Sequence, residues 1–380
     1  MLTVVWKYTG IDLLIAVPVD NTTGYSYQFQ NFGKTSNRGI ELSVNVDVIN
    51  KGDFRFNVGA IYNYNRNKLD ELPNADQYLY SSYWGSSSLV PTNDYMFVEG
   101  KAIGLVRGFI SEGYYTVDDF NYTNGQYVLK EGVPDITKAL TATYMHPYDL
   151  PAGQTAFPGA AKFRDVDESG TVDLDDATCL GEVMPRHTGS FQLNFNYKNF
   201  DLSTNFNWTA GGKVYNVAAM INASGQEFDG IGAQRASWVA DAFKVYNVNA
   251  AGDLYAVTNP DELRALNANA KYHLPYHQSG ITSSEWLENG SYLRLQTLTL
   301  GYTLPKNWLT KVHVDKIRLY LTATNLFTIT GYSGIDPEVN ANPTGQSGFY
   351  SDLRIFPTLN MDFGTYPRAR TFTFGANITF

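Results

Sequence analysis

The residues best suited to chemistry lie in one stretch, Asp165-Val166-Asp167-Glu168-Ser169-Gly170-Thr171-Val172-Asp173-Leu174-Asp175-Asp176. Oxygen-bearing side chains fall at the first, third and fifth positions (Asp165, Asp167, Ser169). Gly170 follows, then Thr171, whose carbonyl is available, then apolar Val172, and the stretch closes on the carboxylate of Asp176. This is the ligand spacing of an EF-hand-type calcium loop, where hard oxygen donors surround the cation and glycine permits the sharp turn. Asp173, at the ninth position, is placed to ligate directly or through water. The last position is Asp rather than Glu, and no helical pattern precedes the loop, so a paired sensor is not expected. The expectation is a single structural Ca2+ site formed by Asp165, Asp167, Ser169, Thr171, Asp173 and Asp176. The competing reading is an acidic turn that holds no metal.

No catalytic constellation accompanies this loop, and the chain is not expected to be an enzyme. His273 and His277 have the spacing of a helical metal pair, but Pro275 lies between them and opposes the helix, so they read as exposed loop histidines. Nucleophile-elbow, phosphate-loop and cysteine-cluster motifs are absent. Cys179 is the sole cysteine, which excludes an intrachain disulfide. The net charge of −9 disfavours a nucleic-acid partner, since phosphate binding needs clustered Lys and Arg. The aromatic run Tyr78-Leu79-Tyr80-Ser81-Ser82-Tyr83-Trp84 would suit stacking on sugar rings, but packing within a long loop is the preferred reading.

The elements that must position these residues are strands. The final stretch sets the pattern: Phe372, Phe374, Ala376, Ile378 and Phe380 alternate with Thr371, Thr373, Gly375, Asn377 and Thr379. Similar period-two alternation covers residues 40–48, 54–65, 191–198, 200–208 and 317–324. A further segment, Tyr292 to Thr303, changes face between Leu295 and Leu298, which predicts a bulge near Gln296. The polar faces carry Glu41, Asp47, Arg55, Lys198, Asp201 and Arg318. A dry core would not accept these charges unpaired, whereas a water-filled lumen does. The apolar faces are free of charge, as lipid requires. A β-sandwich survives only if the apolar faces form its core.

Connection lengths favour the barrel. Short turns at 50–53 and 198–200 and the stretch 304–314 alternate with long connections at about 10–37, 67–187, 211–289 and 328–368. Transmembrane barrels alternate short periplasmic turns with long extracellular loops. Tracing the chain gives about eight strands, the last running inward so that Phe380 lies at the periplasmic face of an outer membrane. The most apolar run, Ile11 to Val19, is interrupted by Asp12 and Pro18, and nothing reaches the roughly 18 apolar residues of a spanning helix. Met1 to Tyr8 already reads as a strand, without the basic segment and cleavage site of a signal peptide. The chain is therefore expected to be the C-terminal piece of a longer, exported protein.

Several stretches, in order, carry a family resemblance. They are Asn37-Arg38-Gly39-Ile40-Glu41-Leu42; Phe163-Arg164 before the calcium-like loop, with Gly181 to Pro185 after it; Ser291-Tyr292-Leu293-Arg294-Leu295 followed by Leu298-Thr299-Leu300-Gly301-Tyr302; Ala323-Thr324-Asn325-Leu326-Phe327 leading to Gly331-Tyr332-Ser333-Gly334-Ile335-Asp336-Pro337-Glu338; and Tyr366-Pro367-Arg368 before the last strand. Together these closely resemble the C-terminal region of SusC/RagA-type TonB-dependent outer-membrane transporters of Bacteroidetes. The resemblance implies an all-β, antiparallel transmembrane barrel of about 22 strands, of which this chain supplies about eight. It further implies an N-terminal plug and signal peptide outside this sequence, a SusD-like surface lipoprotein as partner, energy from the TonB complex, and oligosaccharide or peptide import. An autonomous eight-stranded outer-membrane barrel with a structural or adhesive role, or a secreted calcium-dependent β-sandwich binding module, are the alternatives.

Overall fold

Eight long strands form a single antiparallel sheet in the computed structural model, which describes residues 2–18, 22, 27–72, 77–82, 89–141, 146–224, 236–274, 280–309, 314–339 and 359–380. The strands are β1 (Leu2–Pro18), β2 (Tyr27–Lys51), β3 (Phe54–Glu71), β4 (His187–Tyr197), β5 (Phe200–Ala210), β6 (Tyr292–Thr303), β7 (Lys316–Thr330) and β8 (Thr371–Thr379). Each pairs with its neighbours in sequence, so the sheet is a meander with β1 and β8 at its edges, and it is not closed.

The register brings like residues into rows. Ile49, Phe56, Phe195, Leu202, Leu300, Leu321 and Phe374 lie opposite one another from β2 to β8. So do Asp47, Asn57, Asn194, Ser203, Thr299, Thr322 and Thr373, on the other face. A slip of one residue would exchange the faces, so this alternation fixes the pairing. Gln296 is skipped in the pairing of β6 with β5, where Asn205 meets Thr297 and Phe206 meets Leu295. This is the expected bulge, and it lets Leu293 and Leu295 share the apolar face with Leu298 and Leu300.

The connections at one end are tight. Lys51 pairs with Phe54 across Gly52 (φ 58°) and Asp53, and Tyr197 with Phe200 across Lys198 (φ 51°) and Asn199. Gly52 adopts the left-handed conformation without steric cost. The third connection contains a short helix, α1 (Lys306–Leu309).

The opposite end differs from expectation in two respects. First, the connection expected at 10–37 is largely strand: β1 and β2 pair from Leu2↔Val44 to Pro18↔Tyr27. The alternation of side-chain types fades there, but backbone pairing continues because antiparallel hydrogen bonds do not depend on side-chain polarity. Second, the connections expected to be long loops are folded. Described residues between β3 and β4, β5 and β6, and β7 and β8 build a cap with two large apolar cores and a small third one of Val214, Tyr332 and Val339. Of the large ones, one contains Phe109, Tyr115, Tyr127, Phe157, Phe163 and Phe243; the other contains Tyr80, Tyr95, Phe97, Tyr215, Trp286 and Met361.

Hydrogen bonds join the three connections pairwise. Phe109 N–H donates to the Thr282 carbonyl at 2.9 Å, Tyr215 N–H to the Asn360 carbonyl at 2.9 Å, and the Tyr95 hydroxyl to the Leu359 carbonyl at 3.0 Å. The buried Tyr115 and Tyr127 hydroxyls likewise reach carbonyls, of Pro134 and Thr258. A buried hydroxyl left unpaired would be costly.

Two readings from the sequence fall in the cap. Tyr80 is buried and stacks on Tyr95 and Phe97, as packing within the loop requires; Tyr83 and Trp84 lie outside the described residues. His273, expected to be exposed, is buried against Trp238 and its Nδ1 lies 2.8 Å from the Leu274 carbonyl, while His277 lies outside the described residues.

Candidate functional site

The polar face of the sheet is a hydrogen-bonded surface of amides and hydroxyls. Asn57 Nδ2 donates to Asn45 Oδ1 and Asp47 Oδ1, each at 2.9 Å, and Ser203 Oγ donates to Asn194 Oδ1 at 2.6 Å. Several charges on this face meet partners. Lys7 pairs with Glu41 at 2.8 Å, and Arg318 grips Asp201 through Nε and a terminal nitrogen at 2.9 and 2.5 Å. Asp201 is on β5 and Arg318 on β7, so their side chains meet over the intervening strand β6. Gly301 permits this: a Cβ there would lie 2.4 Å from Asp201 Oδ1.

The opposite face is apolar and exposed. Phe372, Phe374, Ile378, Leu321 and Leu300 stand clear of any protein contact sufficient to bury them. At the turn end, Phe54, Tyr197, Phe200 and Tyr302 form an aromatic row. Towards the cap, Tyr62 stacks with Trp208. Aromatic rows flanking an apolar band are the girdles of a membrane-spanning barrel, whose rings suit the headgroup level. No described helix is long and apolar enough to cross a membrane.

The calcium-like loop lies in the cap. Thr171 and Val172 pair in parallel with Asp135 and Ile136, and Val172 is buried. This seats the loop on the first cap core. Gly170 has φ 87°, as the turn demands. Oxygens of Asp165, Asp167 and Asp176 lie within 4.8 Å of one another. Asp176 is fully buried, and its oxygens accept from Val166 N–H at 2.5 Å and Asp173 N–H at 2.8 Å. Ser169 Oγ donates to the Thr171 carbonyl at 3.0 Å. Hydrogen bonds from Ser169 hold the Asp167 carboxyl below its usual pKa, so it is ionised at neutral pH. Asp173 stands apart from the three converging carboxylates and instead accepts from Asp175 N–H at 2.8 Å, capping a helical turn. Three close carboxylates with hydroxyl and carbonyl oxygens beside them are a donor set that fits Ca2+.

One cluster had no role assigned from sequence. Arg294, buried in β6, pairs with Asp336 at 2.5 Å and Glu338 at 2.8 Å, and Arg368 reaches Glu338 at 2.8 Å. The cluster fastens the Asp336-Pro337-Glu338 turn to the wall. Arg294 lies 42 residues from Asp336 and 44 from Glu338 in sequence, so nothing local announces the pairing.

No protein-family model matches the sequence. Among curated proteins, the chain is 30% identical over 97% of its length to TonB-dependent receptor P3 of Formosa agariphila. It is 24% identical over 97% of its length to TonB-dependent receptor SusC of Bacteroides thetaiotaomicron. It spans about a third of the length of these relatives, 31% and 29% respectively. Among solved structures, the RagAB peptide transporter superposes on all of the chain with a TM-score of 0.64 at 20% identity, and the chain covers 33% of that structure's chain. The antiparallel wall, with one apolar and one polar face, and these sequence relationships agree: over nearly its whole length the chain is homologous to a portion of TonB-dependent receptors and shares the fold of their β-barrel.

Proposed function

We propose that this chain forms part of the wall and the extracellular cap of a nutrient importer. The observation that carries this reading is the two-faced sheet, apolar and exposed on one side and hydrogen-bonded and polar on the other. In this reading the apolar face meets outer-membrane lipid and the polar face lines the lumen. The tight turns and Phe380 lie at the periplasmic end, and the cap lies outside the cell. Energy would come from the TonB complex acting on a plug outside this sequence, and a SusD-like lipoprotein would cover the cap. The substrate is an oligosaccharide or a peptide. The amide- and hydroxyl-rich polar face is compatible with both, since each is bound largely by hydrogen bonds.

Deleting the receptor in its host and following uptake of labelled oligosaccharides and peptides tests the proposal. Loss of uptake of one class, dependent on TonB, is expected. Unchanged uptake and growth on every oligosaccharide and peptide source would sink the importer reading.

The second part of the proposal is that Ca2+ binds Asp165, Asp167, Ser169, Thr171 and Asp176, with Asp173 reached through water, and stiffens the cap. The convergence of three carboxylates supports it. A terbium or calorimetric titration should show one site that weakens strongly in Asp165→Ala. No binding, or binding unaffected by that change, would remove the metal from the account.

A further inference from the structure

We propose that the turn end of the wall binds an anionic phospholipid through Lys51 and Lys198. The inference rests on the membrane orientation proposed above and adds a ligand to it. With the tight turns at the periplasmic end, the lipid is one of the inner leaflet.

The last row of the apolar face differs from the rows above it. Lys51, Phe54, Tyr197, Phe200, Tyr302 and Leu319 lie opposite one another from β2 to β7. Directly opposed residues share a face, as do residues two apart in one strand. Lys51 therefore stands on the apolar face with Ile49 and Phe54. Lys198 follows in the next turn with φ 51°, and its Nζ lies 5.4 Å from the centre of the Tyr197 ring. A contact, rather than alternation, thus brings the second ammonium to the same row. Tyr197 and Phe200 are both 52% exposed, so the row is open to a ligand.

Its place along the wall is that of a headgroup. From Phe54, β3 runs eight residues to Tyr62, which stacks with Trp208 towards the cap. At about 3.3 Å per residue and a tilt of about 40°, that stretch rises about 20 Å, close to the height of a barrel's apolar band. Between these two aromatic rows the apolar face of β2 to β8 carries no Asp, Glu, Lys or Arg. Lys51 and Lys198 mark the boundary where charge returns.

Charge and shape select the ligand. Neither lysine makes an ion pair among the described residues, and Asp53, the one acid in the two tight turns, pairs with neither. Neighbouring strands are about 4.8 Å apart, so the Lys51 and Tyr197 backbones, two strands apart, are separated by about 10 Å. Two flexible ammonium groups across that gap can bracket one phosphate. The rings of Phe54, Tyr197 and Phe200 suit the level just above it, and the apolar rows behind them suit acyl chains. An acidic protein would satisfy the lysines and leave the apolar rows bare, and a soluble anion would make no use of the rings. A phospholipid whose headgroup has net negative charge uses all three features.

The test uses the full receptor and its Lys51→Gln/Lys198→Gln variant. Each is reconstituted in nanodiscs of equal parts phosphatidylglycerol and phosphatidylcholine, and retained lipid is counted by native mass spectrometry after detergent transfer. The unaltered receptor should retain phosphatidylglycerol in preference to phosphatidylcholine, and the variant should retain about tenfold less of it. Equal retention of phosphatidylglycerol by receptor and variant overturns the proposal, as does equal retention of the two lipids by the unaltered receptor. So does full displacement by millimolar inorganic phosphate, which would mark a site for soluble anions. Outer-membrane fractionation and heat-modifiable mobility are followed in parallel. If these fail for the unaltered receptor, the membrane reading itself falls; if they hold while lipid retention is unchanged in the variant, only the lipid site does.

Discussion

The wall and the cap treat the same residue types in opposite ways. In the wall, Phe374 is 73% exposed; in the cap, Phe97 and Phe109 are fully buried. Each cap phenylalanine is surrounded by side chains from distant parts of the chain, whereas the wall phenylalanine has neighbours only along the sheet. In the proposed setting the difference is one of solvent: water outside the cap drives apolar groups inward, while hydrocarbon around the wall would remove that drive and leave only backbone pairing and lateral side-chain contacts. Exposure of a large apolar residue is therefore not a defect in one half of this molecule and would be one in the other.

The contrast can be broken first in the cap. Phe109→Ala should cost about 3–5 kcal/mol, the penalty for emptying a fully buried aromatic site. Hydrogen exchange should then accelerate through residues 105–172 while β3 to β8 stay protected. Equal loss of protection in the wall would show that the two regions fold as one unit. A smaller effect is expected in the wall, where Leu193→Arg places a charge on the apolar face midway along β4. It should cost about 2–4 kcal/mol in a refolding titration. Gln192→Arg, one residue away on the polar face, should change little. If the two arginines cost the same, the faces have been assigned wrongly.

Next is the Asp201–Arg318 pair that crosses over Gly301. Gly301→Ala drives a methyl group into both charged groups. Its cost should be about 1 kcal/mol, since a partly solvated ion pair contributes no more than that. The same change made on an Asp201→Asn background should cost less; a full additive penalty would mean that Gly301 serves some other contact.

A pH test sharpens the contrast in polarity. Asp94 is fully buried in the cap, accepting from Ser82 N–H at 2.8 Å and Ser82 Oγ at 2.5 Å. Burial raises its pKa to about 7 from 3.8, more than the Ser82 hydrogen bonds lower it. The folded cap then holds a proton that the unfolded chain releases. Cap stability from this group is full below about 3.8, falls as pH rises towards about 7, and is flat above that. Asp94→Asn cannot release a proton, so its melting temperature should vary less between pH 4 and 7. An unchanged profile would show that Asp94 does not titrate in that window.

How much was legible in the sequence follows the same division. The wall was readable because each strand carries its own pattern. The alternation in 54–65 or 371–380 specifies a face without reference to any other segment, and even the bulge at Gln296 announced itself as a change of phase. β1 and β2 beyond Gly10 were not readable, because their pairing there lacks a regular alternation. The cap was not readable for a different reason. Phe109, Tyr215 and Met361 belong to three connections, and nothing local says that they meet. The calcium-like loop sits between these cases: its ligand spacing is local, and Asp165, Asp167 and Asp176 do converge, but the seating of Val172 beside Ile136 is long-range. Arg294 was invisible as an anchor because Asp336 and Glu338 reach it only once β6 and β7 are paired.

Three of the bonds that join the cap's connections in pairs also bear on mechanics. Phe109 to Thr282, Tyr215 to Asn360 and Tyr95 to Leu359 close a triangle. A hairpin held only by its neighbours can be peeled away one hydrogen bond at a time. A triangulated frame cannot: moving any one hairpin at that end loads both others in shear. Pulling on a single strand should therefore meet greater resistance from the cap end than from the turn end, and single-molecule force spectroscopy with attachment points at Tyr197 or at Ala210 would measure that asymmetry.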